Sequence, residues 1–172
     1  DRIQWATSPR RQGHGSVRFQ VEPGDIGGAV TNRVAIESSK PIDGAWLSPG
    51  DEVWMSMSFM FPTDYPVNPR QGGWMVLFQM FAQSRKARFL GGSPPFAIEV
   101  SDTKRYGASM MDLTCVVRGG DKASASSATP FVRYNRIAPA TPGVWHDLLI
   151  HFRMGKNSSD NTGRIQVWHR LA

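Results

Sequence analysis

Trp145-His146-Asp147-Leu148-Leu149-Ile150-His151-Phe152-Arg153 and, after a polar link, Gly163-Arg164-Ile165-Gln166-Val167-Trp168 are the two runs that decide the fold class. Leu148, Ile150 and Phe152 alternate with Asp147, Leu149, His151 and Arg153, and Ile165 and Val167 alternate with Arg164, Gln166 and Trp168. In an extended chain successive side chains point to opposite faces, so a period of two predicts two strands, here joined as an antiparallel hairpin. The link Lys156-Asn157-Ser158-Ser159-Asp160-Asn161-Thr162-Gly163 is turn chemistry throughout and has no apolar side chain to bury.

The same period recurs upstream. Residues 16–22 set Val17, Phe19 and Val21 against Ser16, Arg18, Gln20 and Glu22, which predicts a half-buried strand stopped by Pro23-Gly24-Asp25. Residues 33–38 read as another strand. After Pro49-Gly50-Asp51, the residues Val53, Met55, Met57, Phe59 and Phe61 face one way and Glu52, Trp54, Ser56, Ser58 and Met60 the other, until Pro62. Residues 74–81 are nearly all apolar, as in a strand covered on both faces. Residues 95–101, 110–118 and 131–137 complete the set. Apolar spacing of the helical kind is nowhere sustained. Strands punctuated by Gly, Pro, Asn and Asp, without βαβ alternation, predict an all-β antiparallel sandwich or jelly roll. The 172 residues suit a single domain, 1–172, read as a portion of a longer chain; residues 119–129 read as a surface loop.

With 20 Lys and Arg against 14 Asp and Glu the chain carries +6, which favours an acidic partner: a uronic-acid polysaccharide, nucleic acid or an anionic surface. Nucleic acid fits poorly, because no reader motif is present and the basic residues are not interleaved with exposed aromatics. The single cysteine excludes an internal disulfide. Cys115 shares a strand face with Met111, Leu113 and Val117 and reads as a buried structural thiol. Four scattered His and one Cys give no metal-ligand spacing, and no apolar run is long enough to span a membrane as a helix. No cofactor is expected. Asp160 and Asn161 offer oxygens for calcium, but two such residues in a turn are ordinary. The six Trp include Trp54, Trp74, Trp145 and Trp168, which could stack on sugars; an aromatic-rich sandwich predicts most of them in the core.

Several blocks occur in order: Gly15-Ser16-Val17-Arg18-Phe19-Gln20-Val21-Glu22-Pro23-Gly24-Asp25, Asn32-Arg33-Val34-Ala35-Ile36-Glu37, Pro49-Gly50-Asp51-Glu52-Val53-Trp54, Ser58-Phe59-Met60-Phe61-Pro62, Val76-Leu77-Phe78-Gln79, Ser93-Pro94-Pro95-Phe96-Ala97-Ile98 and Gly143-Val144-Trp145-His146-Asp147. Together they resemble the heparin-lyase-I-like and glucuronan-lyase-like polysaccharide lyases, including versions in bacteriophage tail and virion proteins. The resemblance implies a concanavalin-A-like jelly roll whose concave sheet forms a polysaccharide groove, and β-elimination as the chemistry. It implies Arg33 as the binder of the uronate carboxylate, since a guanidinium grips it at two points, with Gln79 helping to neutralise it. Arg33 has a second reading, an ion pair with Glu37 on the same strand face.

The resemblance departs at Phe81, which stands where a histidine is expected and cannot move a proton. Tyr134 substitutes as the proton-transfer residue if the fold brings it near Gln79; Tyr106 is a further candidate. Arg85, Lys86 and Arg88 form the densest basic cluster and follow directly on the Gln79 strand, either as a solvated loop or as an attractor of acidic polymer. His14, in the basic approach Arg10-Arg11-Gln12-Gly13-His14-Gly15, is a minor substrate-binding candidate. The expected partner is an acidic polysaccharide, with virion or other assembly subunits in the phage version. The expected location is extracellular or on a virion surface.

Overall fold

The period-two segments form strands in a computed structural model that describes residues 2–22, 48–65, 74–80, 96–102, 111–119, 131–156, 160 and 162–172. Among them are β1 (Ile3–Ala6), β2 (Ser16–Phe19), β3 (Glu52–Met60), β4 (Trp74–Met80), β5 (Phe96–Asp102), β6 (Met111–Gly119), β7 (Phe131–Pro139), β8 (Trp145–Arg153) and β9 (Arg164–Leu171). The described residues contain no helix. The strand expected at residues 33–38, Phe81 and Tyr106 lie outside the described residues, as does the loop expected at 119–129 except for Gly119, which instead ends β6.

Residues 1–48 and 49–172 are two separate units. In the first, β1 and β2 pair antiparallel, Ile3 opposite Phe19 and Trp5 opposite Val17. Ser16 Oγ donates to the Pro9 carbonyl at 2.7 Å, and the Gln20 amide donates to the Arg2 carbonyl at 2.8 Å. The half-buried face expected for Val17, Phe19 and Val21 is corrected here: they are 43%, 48% and 47% exposed. Among the described residues of this unit the two-stranded ribbon has no second layer to cover an apolar face.

The second unit is a sandwich of jelly-roll type, with one sheet in the order β3-β8-β9 and one in the order β4-β5-β6-β7, every pairing antiparallel. Alternation selects the core. Leu148 and Ile150 from one sheet and Phe96, Ile98 and Cys115 from the other form one buried cluster, joined by Met55, Met57, Phe59, Phe152, Ile165 and Val167. Phe61, Val100, Leu113 and Ala140 form a second. Cys115 is buried as expected, and burial pushes its thiol up to about 11, which makes it an unreactive core group.

Two register shifts interrupt the four-stranded sheet. One lies between Val76 and Phe78, and it lets the consecutive Leu77 and Phe78 both pack against the core. The other lies between Leu113 and Thr114, opposite which Ile137 is the extra residue of β7, so that Ile137 and Ala138 both pack inward. A bulge inserts one residue and re-aims its neighbours, and here it fixes which β7 residues turn away from the core. Entry into β8 passes through Gly143, where a φ of +75° and an added Cβ 2.9 Å from Thr63 Cγ2 would strain any side chain.

Candidate functional site

Alternation leaves a second face on the four-stranded sheet. Phe78 and Met80 pack against the core, so the half-buried Gln79 between them points the other way. Gln79 pairs with Ala97, Ala97 with Val116 and Val116 with Tyr134, so the four occupy one row across β4, β5, β6 and β7. Three inter-strand steps separate the ends of that row, roughly 14 Å at ~4.8 Å per strand. The fold therefore brings Tyr134 to the row of Gln79 but not beside it.

The next row runs from Val76 to Glu99, Thr114 and Arg136. Glu99 is 5% and Thr114 3% exposed, and beyond them Asp112 is 1% exposed. Arg136 Nε donates to Asp112 Oδ2 at 2.8 Å, its own side chain remaining 62% exposed. Asp112 Oδ1 is buried and has no hydrogen-bond partner among the described residues. A buried carboxylate thus anchors the near edge of a guanidinium whose far edge reaches solvent. The fork geometry of arginine leaves donors for a second carboxylate.

Of the residues singled out from the sequence, Gln79 and Tyr134 fall in one row. His14 is exposed in the β1–β2 connection of the other unit. Arg33, Arg85, Lys86 and Arg88 lie outside the described residues. Arg136 and Asp112 were not among the sequence candidates. Asp160 takes the Lys156 amide on Oδ2 at 2.7 Å and the Thr162 amide on Oδ1 at 2.9 Å, and the Lys156 amide foremost holds its carboxyl down to about 2. Both oxygens thus organise the turn. Among the described residues no three His, Cys, Asp or Glu side chains gather as a metal site.

The histidines of β8 are built into the three-stranded sheet. His146 is fully buried with Nε2 3.0 Å from the Thr141 carbonyl, so that nitrogen carries the proton and donates. Its Nδ1 then accepts from His169 Nε2–H at 3.0 Å. Burial, with His146 adding to it and Asp147 opposing it, lowers the His169 pKa below its ordinary 6.5. Below that value the unfolded chain takes up the proton that the folded chain refuses, so stability falls as pH drops through and below about 6.5. Urea midpoints measured from about pH 7 to 5 are expected to decline, and His169→Gln is expected to flatten that slope. The depressed Asp160 acts in a separate, more acidic window, losing its contribution between 3.8 and about 2.

The fold is thus an all-antiparallel β-sandwich of jelly-roll type that carries Gln79, Glu99, Thr114, Asp112 and Arg136 on one sheet. The family model for polysaccharide lyases matches residues 1–170, and the chain belongs to that family. Neither a curated protein nor a solved structure matches it.

Proposed function

We propose that the domain recognises an acidic, uronate-containing polysaccharide on the Gln79–Arg136 face and that its reaction is β-elimination, as in the heparin-lyase-I-like and glucuronan-lyase-like enzymes. The observation that carries this reading is Arg136, a guanidinium fixed at one edge by buried Asp112 and open to solvent at the other. Elimination takes the proton from the carbon beside the uronate carboxylate. The electron pair left there forms a carbon–carbon double bond as the neighbouring bond to the leaving sugar oxygen breaks, and that oxygen is protonated. Charge builds on the carboxylate in the transition state, so fixed donors aimed at it lower the barrier. Gln79, with Arg33 as the arginine implied by the family pattern, supplies such donors at the reacting sugar, and Arg136, three strands away, holds the carboxylate of another sugar of the same chain. Tyr134 stands three strands from Gln79, roughly 14 Å at ~4.8 Å per strand, so the condition for its replacing the missing histidine beside Gln79 is not met. Arg85, Lys86 and Arg88 add positive charge that draws the polymer in.

Phe81 favours a second reading. With a phenyl ring where the family pattern has histidine, the domain would bind the polymer without turnover, as a virion or adhesin module outside the cell. Incubation with polyglucuronate, polygalacturonate and polymannuronate, followed at the ultraviolet band of unsaturated uronates, separates the two. The lyase reading predicts a rise on one of them that Gln79→Ala slows about a hundredfold. Binding without any rise selects the recognition module, and a rise indifferent to Gln79→Ala and Arg136→Ala removes this face from the chemistry.

A further inference from the structure

The outer face of the three-stranded sheet carries an ordered array that the reading above does not use. Because Leu148, Ile150, Ile165, Val167, Met55 and Met57 pack inward, the alternate residues stand outward in four rows. The rows are Glu52–Arg153–Arg164, Trp54–His151–Gln166, Ser56–Leu149–Trp168 and Ser58–Asp147–Arg170. Trp54, Trp168 and Leu149 are 57%, 45% and 40% exposed. This corrects the expectation that these tryptophans belong to the core.

The two indoles are held in place. Trp54 stacks on the His151 ring at 4.2 Å and 9°, and Trp168 lies 5.6 Å from Trp54 at 17°. His151 beneath is 3% exposed and immobilised from both sides, Nδ1 against Gln166 Oε1 at 3.0 Å and Nε2 paired with Glu52. At one end Arg170 is tied to Asp147 at 2.7 Å with its side chain 70% exposed, and Asp147 also accepts from Ser58 Oγ at 2.8 Å. The array holds three arginines against two carboxylates, one of which is engaged by His151 and the other by Arg170.

We propose that this face is a second glycan-binding surface, on the opposite sheet from Gln79 and Arg136, where an acidic polysaccharide lies across the Trp54–Trp168 plate. The apolar face of a pyranose ring buries itself on an indole, and indoles already fixed in place lose little freedom on binding. The positive balance selects an acidic polymer over a neutral one. Arg164 and Arg170, six residues apart on β9, span roughly 20 Å at ~3.4 Å per residue, enough to meet carboxylates on different sugars of one chain. A long polymer gains from this surface, whereas a short oligosaccharide held at the Gln79–Arg136 face does not reach it.

Native gels containing polyglucuronate, polygalacturonate or polymannuronate, with neutral dextran as control, test this surface whether or not the polymer is cleaved. Retention of the native protein by one of the acidic polymers but not dextran is expected, and Trp168→Ala should weaken it at least about fivefold. Trp168→Ala should keep the native urea midpoint within experimental scatter and leave Gln79-dependent turnover of a trisaccharide unchanged. Unaltered retention in both Trp168→Ala and Trp54→Leu overturns the proposal while leaving the lyase reading intact. Retention by none of the acidic polymers, or a dimer that Trp168→Ala dissociates without any effect on glycan, overturns it as well. Loss of turnover in Gln79→Ala with retention preserved isolates the two faces from each other.

Discussion

Arg136→Ala is expected to lower stability by about 3 kcal/mol, because it strands the Asp112 carboxylate in a buried position. The side chain of Asp112 is 2% exposed and, among the described residues, its Oδ1 has no partner and Arg136 supplies its charge compensation. The exposed half of Arg136 contributes little to folding, since a solvated guanidinium is well screened. The loss therefore belongs to the aspartate, and the double variant Asp112→Asn with Arg136→Ala should recover at least about half of it. Urea midpoints of the two singles and the double give the coupling. Arg136→Lys separates folding from recognition, since an ammonium keeps the charge beside Asp112 and loses the planar fork that would hold a uronate.

Leu148→Ala is expected to cost about 3 to 5 kcal/mol, a large share of the roughly 5 to 15 kcal/mol that holds a domain of this kind together. Leu148 is 2% exposed and sits at the junction of the two sheets, in the cluster with Ile150, Phe96, Ile98 and Cys115. Both sheets are rigid layers flanking the site, so the cavity cannot close by moving one side chain. A urea midpoint for Leu148→Ala within about 0.5 kcal/mol of native would mean that the two sheets are not packed against each other at this point. The adjacent Leu149, 40% exposed on the other face, is the internal control and should tolerate Ala with little loss.

The pair Leu148 and Leu149 also shows how far alternation carries. Hydropathy does not distinguish them, yet parity within the strand sends one inward and one outward; β3, β8 and β9 were legible on the same ground, whereas β4 was legible as a continuous apolar run. β1 was not, because Ile3-Gln4-Trp5-Ala6 is too short to establish a period. Parity also placed Trp54 and Trp168 on the outward faces of their strands, against a compositional expectation of core tryptophan. The local signal prevailed because it reflects backbone geometry, whereas composition averages over the chain. Gln79 was visible through its resemblance to a family pattern. Arg136 was hidden because its direction is set by the bulge at Ile137, and its partner Asp112 lies on the neighbouring strand, a pairing decided by register rather than by spacing.

A crystal structure of the protein with a short oligouronate bound tests the central claim most directly. The account predicts a sugar carboxylate within hydrogen-bond distance of the exposed Arg136 guanidinium on the four-stranded sheet. An oligouronate bound in the crystal that leaves this face untouched would contradict it.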